Sequence, residues 1–226
     1  MNIIELKNLS LSYKTKSFIP NDNKNLYLPK DEDFYALNDI NLSIEKKSVI
    51  GLYGPNGAGK TTLLKVIGKI LKPNNGTVFT KYEPELMASS QFNLIDDATG
   101  YENVRLFLKL KNIDEDLIDN KIQSIREIAN INEFFFKPVK VYSSGMRFRI
   151  SFACLEQINS KIILMDEWLS TADKNMRDYV SKSMNNKISN TEATIVASHN
   201  FETLKDNCTH ILYMSEGKIT KIEKNQ

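Results

Sequence analysis

The run Gly54-Pro-Asn-Gly-Ala-Gly-Lys-Thr61 places glycines, a lysine and a hydroxyl side chain at the spacing G-x-x-x-x-G-K-[ST]. Gly54, Gly57 and Gly59 tolerate positive φ, so successive backbone N–H groups can turn toward one anion while a helix start adds the positive end of its dipole. A triphosphate is the natural occupant. The Lys60 ammonium is expected to meet its β- and γ-phosphates, and the Thr61 hydroxyl to ligate the Mg²⁺ that bridges them. Pro55, Asn56 and Ala58 complete the wall of the loop, and Thr62 supports the helix start.

A second group of residues could act on that phosphate. Asp166 and Glu167 end the apolar run Lys161-Ile-Ile-Leu-Met165. Asp166 is expected to hold Mg²⁺, directly or through water, and Glu167 to orient or deprotonate an attacking water. Hydrolysis needs charge neutralisation at the γ-phosphate and a water in line, so a lysine, a metal and a carboxylate form a minimum set. His199 follows the apolar Thr194-Ile-Val-Ala-Ser198, which places it either at the ligand edge of a sheet or as a structural histidine at a strand end. In Tyr142-Ser-Ser-Gly-Met146, Ser143, Ser144 and Gly145 put hydroxyl and N–H donors at a helix start, a second anion site. His210 has no comparable context.

The elements that must carry these groups follow from hydrophobic periodicity. Val49, Ile50 and Leu52 read as a buried strand before the loop, and Leu63, Leu64, Ile67, Ile70 and Leu71 as one face of the helix after it. Residues 2 to 13 and 36 to 44 read as strands. The polar Lys14 to Phe34, with Pro20 and Pro29, reads as a surface excursion, either partly disordered or a docking segment. Thr77 to Thr80 returns to strand. From Tyr101 to Ala129 the pattern is helical, with Val104, Phe107 and Leu108 on one face and Leu117, Ile118, Ile122, Ile125 and Ala129 on another. Pro138 helps break the helix over Glu133 to Lys140. Residues 161 to 165 and 194 to 198 suit central parallel strands covered on both faces, and Ile211 to Met214 with Gly217 to Ile219 a closing hairpin.

Composition narrows the function class. With 226 residues, 41% hydrophobic and 26% charged, the chain can bury a substantial core. A formal net charge of +2, with acids and bases interspersed, argues against a nucleic-acid partner. Cys154 and Cys208 are the only cysteines and stand far apart, which indicates neither a zinc site nor a disulfide framework and fits a reducing compartment. The N-terminus lacks the basic start and apolar core of a signal peptide, and no stretch approaches the ~20 apolar residues of a membrane span. Any membrane part is expected on another chain.

The order Lys60, Ser143, Asp166, His199 resembles the nucleotide-binding subunits of ABC transporters, whose signature segment, commonly LSGGQ, precedes the second nucleotide motif. The form Tyr142-Ser-Ser-Gly-Met146, the Arg-rich helix after it and Thr99-Gly-Tyr-Glu-Asn103 are similar to the branch that exports capsule polysaccharide, O-antigen or teichoic acid.

The resemblance implies an α/β P-loop NTPase cassette with a mostly parallel core sheet, an N-terminal antiparallel β portion and an inserted helical subdomain. Residues 1–226 would form one ABC ATPase domain, with the core at about 1–90 and 156–226 and the helical subdomain at about 91–155. It further implies a head-to-tail homodimer in which ATP and Mg²⁺ on Lys60 of one copy are covered by Ser143, Ser144 and Gly145 of the other, with Asp173 in the inter-subunit loop. His199 matches the switch histidine. Gln91 matches the glutamine that touches Mg²⁺ and reports to the permease, a surface-loop glutamine being the alternative. Tyr13 holds the place of the aromatic that stacks on adenine, with Tyr35 able to substitute and a core tyrosine the plain explanation of either. Trp168 departs from the small apolar residue usual in the export branch.

The expected function is ATP hydrolysis driving export of a polysaccharide or lipid-linked glycan through a separate permease, with the subunit peripheral on the cytoplasmic face of the membrane. Another cargo is the first alternative. A soluble ABC ATPase acting on ribosomes or DNA is the second, disfavoured because the chain has one cassette and no sustained heptads.

Overall fold

The computed structural model describes residues 1–21, 26–88, 94–166, 183 and 186–225. Contacts divide the chain into two compact units, Met1–Leu86 with Lys161–Asp166 and Thr191–Gln226, and Met87–Ser160 with Glu167–Asn190.

The first unit holds two sheets. Strands β1 (Asn2–Asn21), β2 (Leu26–Glu45) and β4 (Asn75–Thr80) form an antiparallel sheet in the order β2-β1-β4. Strands β3 (Ser48–Tyr53), β5 (Pro84–Ala88), β6 (Ile162–Asp166), β7 (Ala193–Ser198), β8 (His210–Ser215) and β9 (Lys218–Lys224) form the other in the order β5-β6-β7-β3-β8-β9. Strands β6, β7, β3 and β8 run parallel, and β9 returns antiparallel to β8. Every residue of β6 and all but the last of β7 are buried, which is why both read as unbroken apolar runs. Glu216 and Gly217, with φ of 48° and 72°, make the tight left-handed turn between β8 and β9 that suits two twisted strands.

Helix α1 (Lys60–Ile67) buries Leu63, Leu64, Val66 and Ile67 in the core of this unit. It stops earlier than its apolar pattern suggests, because Gly68 caps it and Lys69 turns to φ 59°. Ile70 therefore lies outside the helix and is 55% exposed.

Within the segment expected as a surface excursion, residues 14–21 and 26–34 are strand. The β1–β2 ladder continues through this stretch to Asn21 opposite Leu26. Strand β4 pairs with β1 only from Ile4 to Ser10, so the outer ladder is a two-stranded ribbon. In such a ribbon each strand is an edge, and prolines 20 and 29 lose no bond to a third strand.

The second unit packs α2 (Gly100–Leu110), α3 (Glu115–Ala129) and α4 (Ser144–Glu156) around Val104, Leu108, Ile122, Ile125, Phe135 and Ile150. Leu117, expected on the buried face of α3, is 48% exposed. It precedes Ile118 by one residue, about 100° of rotation, and Ile118, Ile122 and Ile125 already fill the stripe. Between α3 and α4 the chain makes short 3-10 turns at Asn132–Phe136 and Val139–Val141, flanking Pro138.

Candidate nucleotide site

Parallel register gathers the chemistry of the first unit at one sheet edge. Tyr53, at the end of β3, pairs with Ser198 at the end of β7, and Asp166, at the end of β6, pairs with Ala197. The phosphate loop leaves Tyr53, His199 follows Ser198, and Asp166 closes its own strand, so all three lie beyond the carboxyl ends of neighbouring strands. Open α/β sheets bind ligands there.

Backbone sterics shape the loop. Gly59 caps α1 in the left-handed region at φ 100°, and a Cβ on it would lie 2.6 Å from the Ala36 carbonyl oxygen. A Cβ on Gly54 would lie 2.3 Å from the Met214 carbonyl oxygen. From the β8–β9 turn, Gly217 donates its N–H to the Ala58 carbonyl at 3.1 Å and accepts from the Asn38 N–H at 2.9 Å. This tie between turn and loop was missed in sequence, where Gly217 signals only a hairpin. Pro55, Asn56 and Gly57 are exposed at the crest, and Gly57 has φ 80°.

Lys60 is 6% exposed and folds over the loop, its ammonium donating to the carbonyls of Gly54 at 2.7 Å and Pro55 at 2.9 Å. The Thr61 hydroxyl donates to Asp166 Oδ2 at 2.7 Å. The structure thus brings Thr61 and Asp166 into contact, with Lys60 preceding Thr61 in the same turn. Thr62 is half-buried in the first turn of α1, and His199 is exposed just past β7.

The sequence profile described as ABC transporter matches residues 37–170, from β2 through the phosphate loop, α4 and β6. The chain belongs to the ABC transporter family. Among its relatives are the teichoic acids export ATP-binding proteins TagH of Listeria monocytogenes serotype 4b (strain F2365), 32% identical over 96% of the chain, and of Listeria innocua serovar 6a, 32% identical over 97%. A third, from Shouchella clausii (strain KSM-K16), is 30% identical over 90%. The chain spans 67%, 66% and 58% of the lengths of these proteins. Two dimeric structures of the ATP-binding cassette MJ0796, one in a post-hydrolysis state bound to ADP and Pi, superpose with TM-scores of 0.79 and 0.78. Each is 23% identical and covers 99% of both chains, a likeness of fold.

The segment Tyr142-Ser-Ser-Gly-Met146 leads into α4. Ser143 N-caps the helix, its hydroxyl oxygen accepting the Met146 N–H at 3.2 Å. Ser143 and Ser144 are exposed, and among the described residues a Cβ on Gly145 would meet nothing nearer than Ser143 Oγ at 3.8 Å. The opposite end of α4 is held by lysines: Lys187 donates to the carbonyls of Leu155, Glu156 and Ile158, the last at 2.6 Å, and Lys121 donates to that of Gln157 at 3.1 Å. Arg147 pairs with Asp96 at 2.8 Å and Lys140 with Asp97 at 2.9 Å, which joins the segment leading into α2 to the one leading into α4.

Tyr13 pairs across the ribbon with Phe34, and Ser12 with Tyr35. Both tyrosines are 45% exposed, so neither is a core residue and both offer a ring face. Gln91, Glu167, Trp168 and Asp173 lie outside the described residues. Among the described residues no helix is long and apolar enough to cross a membrane.

Proposed function

We propose that the chain is the ATP-hydrolysing subunit of an exporter of teichoic acid or a related lipid-linked polysaccharide, seated on the cytoplasmic face of the membrane and working through a separate permease. The names of its relatives support that cargo. The observation that carries the chemistry is the 2.7 Å contact between Thr61 and Asp166 beside the buried Lys60.

The donor set fits Mg²⁺, since a hydroxyl and a carboxylate oxygen are hard ligands and this ion keeps its remaining positions for phosphate oxygens and water. Thr61 and Asp166 would hold it, with Gln91 a further ligand. When bound, the ion neutralises charge on the β- and γ-phosphates. Lys60 exchanges its loop carbonyls for phosphate oxygens, a charge-assisted contact. Pro55, Asn56, Gly57 and Ala58 line the cradle with the N–H groups at the start of α1, and Tyr13 stacks on adenine. Glu167 takes the proton of the attacking water and His199 contacts the γ-phosphate.

One cassette occupies the whole chain, and two copies close head to tail. Ser143, which accepts the Met146 N–H, still has its hydroxyl proton to donate to the partner's γ-phosphate, with Ser144, Gly145 and Asp173 beside it. ATP thus favours the closed pair through contacts that exist only there, and hydrolysis removes them.

The test is replacement of the ATP-binding protein of a Listeria teichoic acid exporter by this chain. The native chain is expected to restore teichoic acid at the cell surface. Glu167→Gln should fail to do so and, when purified, accumulate dimers in Mg-ATP. Lack of surface polymer with the native chain refutes the cargo, and a Glu167→Gln protein that stays monomeric in saturating Mg-ATP refutes the closed pair.

A further inference from the structure

Among the described residues, Thr99-Gly-Tyr-Glu-Asn103 makes no hydrogen bond to the groups assigned to ATP, yet its side chains are closely engaged. Thr99 and Glu102 form a capping box at the start of α2. The Thr99 hydroxyl oxygen accepts the Glu102 N–H at 3.1 Å, and the Glu102 carboxylate accepts the Thr99 N–H at 2.8 Å. Asn103 is 6% exposed, accepts the Ile95 N–H at 2.7 Å and donates to the carbonyls of Ile95 at 3.1 Å and Thr99 at 2.8 Å. The segment fixed in this way holds the chain ahead of α4. Val139 N–H donates to Ala98 and Lys140 N–H to Asp96, each at 2.9 Å.

Gly100 is where the two segments meet most closely. A Cβ there would lie 2.3 Å from the Tyr142 hydroxyl oxygen and 2.9 Å from the Phe135 carbonyl oxygen. Tyr142 is buried, donates to the Phe134 carbonyl at 2.7 Å and has its hydroxyl oxygen close against Gly100. Burial raises the phenol pKa, and the nearby Gly100 backbone opposes that rise. The phenol oxygen is thus hydrogen-bonded to the 3-10 turn Asn132–Phe136 and lies against the first residue of α2, and the next residue is Ser143, the cap of α4.

We propose that Gly100 and Tyr142 form a positioning joint, in which the bare backbone of Gly100 seats the Tyr142 hydroxyl so that Ser143 and Gly145 are presented in register to the ATP held by the other copy. The inference rests on the head-to-tail reading above.

The experiment measures ATP-driven dimerisation by sedimentation in the Glu167→Gln background, and nucleotide binding to the dilute monomer with a fluorescent ATP analogue. Gly100→Ala should weaken dimerisation on the order of tenfold, as slight misplacement of a contacting group does, and leave monomer binding within about twofold. Adding Tyr142→Phe removes the atom that the new methyl would strike and should recover most of the lost dimerisation. Tyr142→Phe alone should weaken it several-fold, and it decides the matter if Gly100→Ala does not fold.

Dimerisation unchanged in the variant that folds, no recovery in the double variant, or a parallel loss of monomer binding each overturns the joint. A Glu167→Gln parent that forms no dimers overturns the head-to-tail reading and the joint with it, whereas a dimeric parent with unaffected variants overturns the joint alone.

Discussion

Glycine serves opposite purposes at Gly54 and Gly145. At Gly54 the chain's own backbone forbids a side chain, since the Met214 carbonyl oxygen would lie 2.3 Å from a Cβ. At Gly145 nothing among the described residues does, because φ is not positive and the nearest atom would be Ser143 Oγ at 3.8 Å. A helical glycine costs about 0.5–1 kcal/mol relative to alanine, a cost that close approach of a ligand or partner would account for. Gly145→Ala should therefore raise stability in urea by up to about 1 kcal/mol while weakening ATP-driven dimerisation of the Glu167→Gln protein about tenfold, roughly one lost close contact. Gain of stability with undiminished dimerisation would remove Gly145 from the interface. Lys60, Thr61 and Asp166 were readable in sequence because phosphate chemistry demands those residue types at fixed spacing or at a buried strand end. Gly217 was not, because its tie to Ala58 joins residues distant in sequence and leaves no local pattern.

At the scale of elements, α4 is placed from both ends. Its first turn is capped by Ser143, and its last carbonyls receive cations, an arrangement that also suits the negative end of the helix dipole. Lys187→Met would keep most of the aliphatic stem but leave the Leu155, Glu156 and Ile158 carbonyls without their cationic donor. The expected loss is about 1–3 kcal/mol, the range for hydrogen bonds to charged groups, read as a lower urea midpoint, with Lys187→Arg recovering much of it. An unchanged midpoint would mean that water serves these carbonyls equally well. Neither lysine announces this role in sequence, since a cap that arrives from a distant segment has no spacing to read. The central strands were plain because burial on both faces makes them continuously apolar, as Ile162 to Asp166 shows. The outer β1–β2 ribbon was hidden for the converse reason: backbone pairing from Lys14 to Phe34 requires no apolar alternation, and its prolines read as loop.

For the molecule as a whole, each unit has its own hydrophobic core and one buried thiol, Cys154 within the core of the second unit and Cys208 buried in the first. Cys208 packs near Gly51 in the first unit, and burial pushes its pKa up to about 12. Cys154, in the second, is raised for the same reason. The unfolded chain releases these protons near pH ~8.5, whereas the folded units retain them, so the thiols favour folding fully below that pH. The advantage is lost as pH rises toward the folded values, at about 1.4 kcal/mol per pH unit for each thiol. Urea midpoints measured between about pH 9 and 11 should therefore fall with pH. Cys208→Ala should make that fall shallower for the first unit and Cys154→Ala for the second, whatever each substitution does to absolute stability through lost packing. Other alkaline titrations are common to parent and variant, so the difference in slope isolates the thiol. Slopes that coincide across parent and variants would mean that the thiols already ionise in the folded chain, and that the cores admit more water than their close packing implies.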